Sequence, residues 1–88
     1  MRVVAVYKDN MDYTRSIDTF MGDFARQTGR TLERLDPDTR EGELFCRAYD
    51  IVEYPAIIAL SNDGQMQNMW IGSIMPTISE VSYYVSQA

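Results

Sequence analysis

Two short runs, Val3 to Tyr7 and Ala56 to Leu60, hold five consecutive apolar residues each and constrain this chain more than any other feature. The first is mostly β-branched and shows little polar alternation, the pattern of a strand rather than an amphipathic helix. Such strands are buried on both faces. The chain has 88 residues, so residues 1–88 are read as one domain with room for one core. A domain of this size buries about 60 to 65% of its unfolded surface. At 45% hydrophobic and 24% charged residues, the composition excludes a disordered tail. The apolar runs fall far short of the roughly 20 residues of a membrane helix. Met1 and Arg2 lead directly into the first run, with no space for a signal peptide. The expectation is a soluble, cytoplasmic protein with no membrane partner.

Cysteine and histidine usage removes whole classes of chemistry. With one cysteine and no histidine, an internal disulfide, a Cys/His zinc site and histidine acid-base catalysis are all unavailable. A net charge of -5 disfavours nucleic acid as a partner. All eight basic residues lie in the first 47 positions, leaving a C-terminal part whose only charges are Asp50, Glu53, Asp63 and Glu80. That part should present a weakly negative surface.

The punctuation between apolar segments sets the element order. Arg2 to Lys8 reads as a strand. Asp9, Asn10 and Asp12 follow with loop and cap chemistry, and Thr14 to Thr28 as a helix whose stripe is Ile17, Phe20, Met21, Phe24 and Ala25. Gly29 ends it, and Asp23 and Arg26 form a solvated pair. Thr31 to Asp36 is a weaker strand, Pro37 to Gly42 a polar loop, and Glu43 to Tyr49 a short helix with Phe45, Cys46 and Tyr49 on one side. After Pro55 and the second apolar run, Ser61 to Gly64 makes a hairpin turn, and Gln65 to Ile71 returns antiparallel with Met66 and Trp70 on one face. Thr77 and Glu80 have capping-box spacing, and Ile78, Val81 and Val85 give the last helix an apolar edge. Its other side, Ser79, Ser82, Tyr83, Ser86 and Gln87, is uncharged. Met21 and Met66 are expected to fill core gaps, and Met11, Met69 and Met75 to be exposed. The carboxylates Asp36, Asp38, Glu41 and Glu43 lack the spacing of a calcium loop and read as a solvated acidic loop, so no metal or cofactor is expected.

The order β-α-β-α-β-β-α is an α/β layout. With Tyr49-Asp50-Ile51-Val52-Glu53-Tyr54-Pro55 ahead of the second run, then Asp63-Gly64 and Gly72, it resembles the thioredoxin-like superfamily in its minimal glutaredoxin-like form. The resemblance implies a four-stranded mixed sheet flanked by three helices and a cis peptide before Pro55. It also implies that the backbone of Tyr54 faces outward beside the first helix, where such proteins pair with an extended peptide or glutathione. Read without it, Pro55 is a rigid start to a strand, with no ligand.

Aligned on Val6-Tyr7, the family's Cys-x-x-Cys falls on Asp12 and Arg15, so both sulfurs are missing. Dithiol exchange is therefore not expected at this place, and no catalytic residue is assigned. Asp12 reads as a helix cap, and Cys46 as a buried structural thiol. The candidate binding surface is Met11, Asp12, Tyr13, Thr14, Tyr54 and Pro55. The leading expectation is a redox-inactive module that binds a protein or peptide there. The alternative is a thiol enzyme working through Cys46 or glutathione. A third reading pairs two copies weakly through the uncharged face of the last helix.

Overall fold

Alternation along the first strand organises the whole molecule. In a computed structural model that describes residues 2–72 and 75–86, β1 (Arg2–Val6) sends Val3 and Ala5, continued by Tyr7, to one side of the sheet, and Val4 and Val6 to the other. The sequence continues through α1 (Thr14–Thr28), β2 (Glu33–Leu35), α2 (Arg40–Tyr49), β3 (Ala56–Leu60), β4 (Met66–Ile71) and α3 (Ile78–Val85). The sheet has four strands in the order β2-β1-β3-β4. β1 runs parallel to β2 and antiparallel to β3, which pairs antiparallel with β4. This is the expected mixed sheet with three helices.

Each side of the sheet has its own core. Val3, Ala5, Tyr7, Ile57 and Ala59 pack with Ile17, Phe20 and Phe24 of α1 and Val81 of α3. Val4, Val6, Leu35, Ala56, Ile58 and Leu60 pack with Cys46 of α2 and with Ile51. All five residues of β3 are buried, which accounts for the absence of polar alternation in that run.

Several boundaries differ from the sequence reading. β1 stops at Val6 and β2 shortens to Glu33–Leu35. α2 begins at Arg40, three residues before the expected Glu43, because Thr39 caps it: the Thr39 side chain accepts from the Gly42 N–H at 3.0 Å. Gly42 then packs so closely on the preceding turn that an added Cβ would lie 1.9 Å from the Asp36 carbonyl oxygen. α1 has the bounds expected of it and ends on Gly29 at φ 73°, a left-handed conformation suited to glycine.

β4 departs from regular pairing. Leu60 faces Met66 while Ala59 faces Asn68, so the register shifts by one residue. Paired residues share a face, and Leu60 belongs to the α2-side core while Ile57, the partner of Trp70, belongs to the other. Met66 and Trp70 therefore lie on opposite faces, not on one. Met66 is exposed rather than core, whereas Met69 and Met75 pack against the two cores. Met11 is exposed as expected.

The Thr77/Glu80 capping box at the head of α3 is present in both directions. Gln87, the last residue expected on that helix's uncharged side, lies outside the described residues. Among the described residues no helix is long and apolar enough to cross a membrane.

Candidate functional site

Lys8 is the chain's one lysine, and it ties the first loop to the segment before β3. Its backbone N–H donates to the Tyr13 hydroxyl at 3.1 Å, and its carbonyl accepts from Thr14 Oγ1 at 2.7 Å. Thr14 Oγ1 in turn accepts from the Met11 N–H at 3.0 Å. The loop is thus folded back on the end of β1 by side chains, with Asn10 at φ 60°, a left-handed conformation that asparagine tolerates well. Lys8 Nζ lies 5.6 Å from the centre of the Tyr54 ring and 3.4 Å from Asp38 Oδ1. Met11, Tyr13, Thr14 and Tyr54 accordingly belong to one neighbourhood, with Lys8 at its centre.

Asp12 is not the cap that the sequence suggests. Tyr13 occupies the N-cap position of α1 with helical backbone angles and makes no side-chain cap hydrogen bond. The Asp12 side chain is exposed at the tip of the loop. The reason is local: Thr14 takes the hydrogen-bonding role in this loop and turns it toward Lys8.

On the other side of the neighbourhood the Tyr54–Pro55 peptide is cis. Pro55 is buried, and its carbonyl accepts from the Gly72 N–H at 2.9 Å. Tyr54 is half-buried, so the surface here is the loop and one side of Tyr54, and Pro55, named from the sequence as a binding residue, is buried. Among the described residues no backbone–backbone hydrogen bond engages the N–H or the C=O of Tyr54.

Cys46 lies under Tyr54. Burial pushes the thiol up from its ordinary value, and the Tyr54 hydroxyl pulls it partly back. Burial is also the main cause that raises Tyr54, with smaller contributions from Cys46, Asp38 and Tyr13. A thiol that is 7% exposed and shifted upward is a poor nucleophile at neutral pH. Among the described residues no group of His, Cys, Asp and Glu could hold a metal ion.

Sequence reasoning missed Lys8, Asp38 and the Tyr54–Cys46 contact. The first had a signal, a lone lysine at the end of a buried strand. The other two depend on how α2 docks on the sheet, which no local pattern encodes.

A second polar cluster stands beside the loop. Tyr7 donates to Asp18 at 2.7 Å, and the Arg34 guanidinium covers the Tyr7 ring at 4.1 Å while pairing with Asp9 at 2.7 Å. Burial first, then Asp18, hold the Tyr7 hydroxyl well above its ordinary value, so it stays protonated as a donor. This cluster anchors the start of α1 to β1 and β2.

No protein-family model and no curated protein matches the sequence. Solved structures do match. Thioredoxin 1 from the thermophilic eubacterium Thermosipho africanus is 15% identical over 97% of this chain and 90% of its own, with a TM-score of 0.66. A structure described as a malarial protein gives 17% identity, 94% and 90% coverage, and the same TM-score of 0.66. A thioredoxin from Thermus thermophilus, solved in solution, gives 17% identity over 94% of this chain and 69% of its own, with a TM-score of 0.61. Likeness at this level of identity establishes the fold.

Proposed function

We propose that this chain, which has a thioredoxin-like fold but no cysteine at the head of α1, works by recognition: it holds an extended segment of a protein or peptide between Tyr54 and the Met11–Thr14 loop. The observation that carries this reading is the backbone of Tyr54, whose N–H and C=O have no backbone partner among the described residues. An extended peptide satisfies such groups by strand-like pairing. Met11, which is 49% exposed, and the rings of Tyr13 and Tyr54 supply apolar contact, and Lys8 and Asp38 supply charge of both signs at the edge. No step in this function requires exchange of a thiol.

Chemical-shift mapping against a library of extended peptides tests the reading. The expected result is perturbation of Met11 to Thr14, Lys8 and Tyr54. Binding that perturbs only the outer face of α2 overturns it.

The alternative, thiol chemistry through Cys46, draws support from the Tyr54 hydroxyl beside the sulfur. Alkylation decides between the two. Slow labelling in native buffer and fast labelling in denaturant support recognition alone. Fast native labelling at neutral pH, with an activity lost in Cys46→Ser, supports the enzyme.

A further inference from the structure

β4 and α3 form a cleft of about 380 Å³ that the peptide-binding reading does not use. It is lined by Asn68, Trp70, Ser79, Glu80, Tyr83 and Tyr84. Trp70 and Tyr83 each stand nearly upright to Tyr84. Trp70 and Tyr84 have centres 5.6 Å apart at 72°, and Tyr83 and Tyr84 5.2 Å apart at 88°. Ring faces not covered by a neighbour's edge are electron-rich surfaces on which alkylated ammonium groups are held.

Two of the three walls are fixed in place. Asn68 Nδ2 donates to the Tyr84 hydroxyl at 3.1 Å, and both Trp70 and Tyr84 pack against the α1/α3-side core. Glu80 is fixed as well, because its carboxylate accepts from the Thr77 N–H at 3.0 Å as part of the capping box. That carboxyl lies below its ordinary value, chiefly through Thr77, with a smaller contribution from Trp70, so it is ionised at neutral pH.

Charge and size narrow the ligand. An anion would meet Glu80, and no lysine or arginine follows Arg47 in the sequence to compensate. From the basic half, Arg30 reaches α3 at its far end, on the Val85 carbonyl at 3.0 Å. A hard metal cation needs six or more oxygen ligands, and the cleft offers one carboxylate. The volume lies at the small end of ligand sites, which fits a head group rather than a whole cofactor.

We propose that this cleft binds an alkylated ammonium group, taken on the faces of Trp70, Tyr83 and Tyr84 with Glu80 as its counter-charge. The inference stands independently of the peptide groove. The cation is carried either by a free small molecule or by a methylated lysine side chain, and the test has one arm for each.

Trp70 is the chain's one tryptophan, so its emission and its indole N–H resonance report on the cleft alone. Titration with choline, and separately with a short peptide bearing one trimethyllysine, should shift both signals while leaving the Met11–Thr14 resonances in place. The tighter of the two identifies the source. The neutral tert-butyl analogue of choline should bind about three- to tenfold more weakly. Glu80→Gln keeps the capping box, since glutamine serves in it, and should weaken the cation by a similar factor of about three to ten without unfolding α3. Tyr83→Ala alters an exposed ring and should weaken it further. Equal binding of cation and neutral analogue, or no response of Trp70 to millimolar concentrations of either cation, overturns the proposal.

Discussion

The heads of α1 and α3 solve the same problem in opposite ways. A helix start leaves backbone N–H groups without partners inside the helix. At α3 the Thr77 hydroxyl and the Glu80 carboxylate close them reciprocally. At α1 the N-cap Tyr13 makes no side-chain cap bond, and the nearby threonine, Thr14, bonds backward to Lys8 and Met11. α2 resembles α3, with Thr39 as its cap. Side-chain closure is thus found at α2 and α3, and it is missing at α1, whose start carries the Met11–Thr14 loop of the candidate groove. The contrast explains how the chain keeps a stable frame around a loop it does not seal.

The harshest way to break this contrast is Gly42→Ala in the capped start of α2. The new Cβ would fall 1.9 Å from the Asp36 carbonyl oxygen and 2.6 Å from its carbon, which are backbone atoms that cannot swing aside. A loss of about 3 kcal/mol or more is expected in urea denaturation. A loss under about 1 kcal/mol would mean that the cap region yields easily and does not serve as frame.

Thr77→Ala and Thr39→Ala come next, each expected to cost about 1 kcal/mol by the same measurement. Asp12→Ala at the open start should change stability by less than about 0.5 kcal/mol. If Asp12→Ala costs as much as Thr77→Ala, α1 is capped after all and the comparison fails.

Acid sharpens it. Glu80 has a folded value below its ordinary 4.5, first because of the Thr77 backbone and then its hydroxyl. A carboxylate lowered on folding stabilises the native state above pH 4.5, and that contribution is lost as pH falls through the folded value. Thermal midpoints of Glu80→Gln should therefore decline less below pH 4.5 than those of the parent. Parallel acid limbs would show that the α3 cap does not depend on the charge.

How far these features could be read in advance depends on whether their cause is local. The bounds of α1, the burial of β3 and the capping box of α3 follow from periodicity and from residues three apart, and the sequence displays each of them. The early start of α2 has no local signal because Pro37 to Gly42 lacks an apolar stripe, and the cap at Thr39 works through a glycine packed on Asp36. The register shift in β4 is set by pairing with β3, so the face of Met66 could not be assigned from alternation alone. At the site, Met11, Tyr13, Thr14 and Tyr54 were named from the resemblance. Lys8, the lone lysine at the end of a buried strand, is visible in the sequence, whereas its contact with Tyr54 and the thiol beneath that ring depend on the sheet bringing residues 8, 46 and 54 together.

The even and odd positions of β1 have one more consequence. They feed separate interiors, so Tyr54 and Cys46 rest on one of them while the aromatic cleft rests on the other. Substitutions on opposite sides of a sheet share few partners and combine additively. Tyr13, on the groove's other side, packs on the same core as the cleft, so changes beneath Tyr54 spare the cleft whereas changes beneath Tyr13 reach both sites.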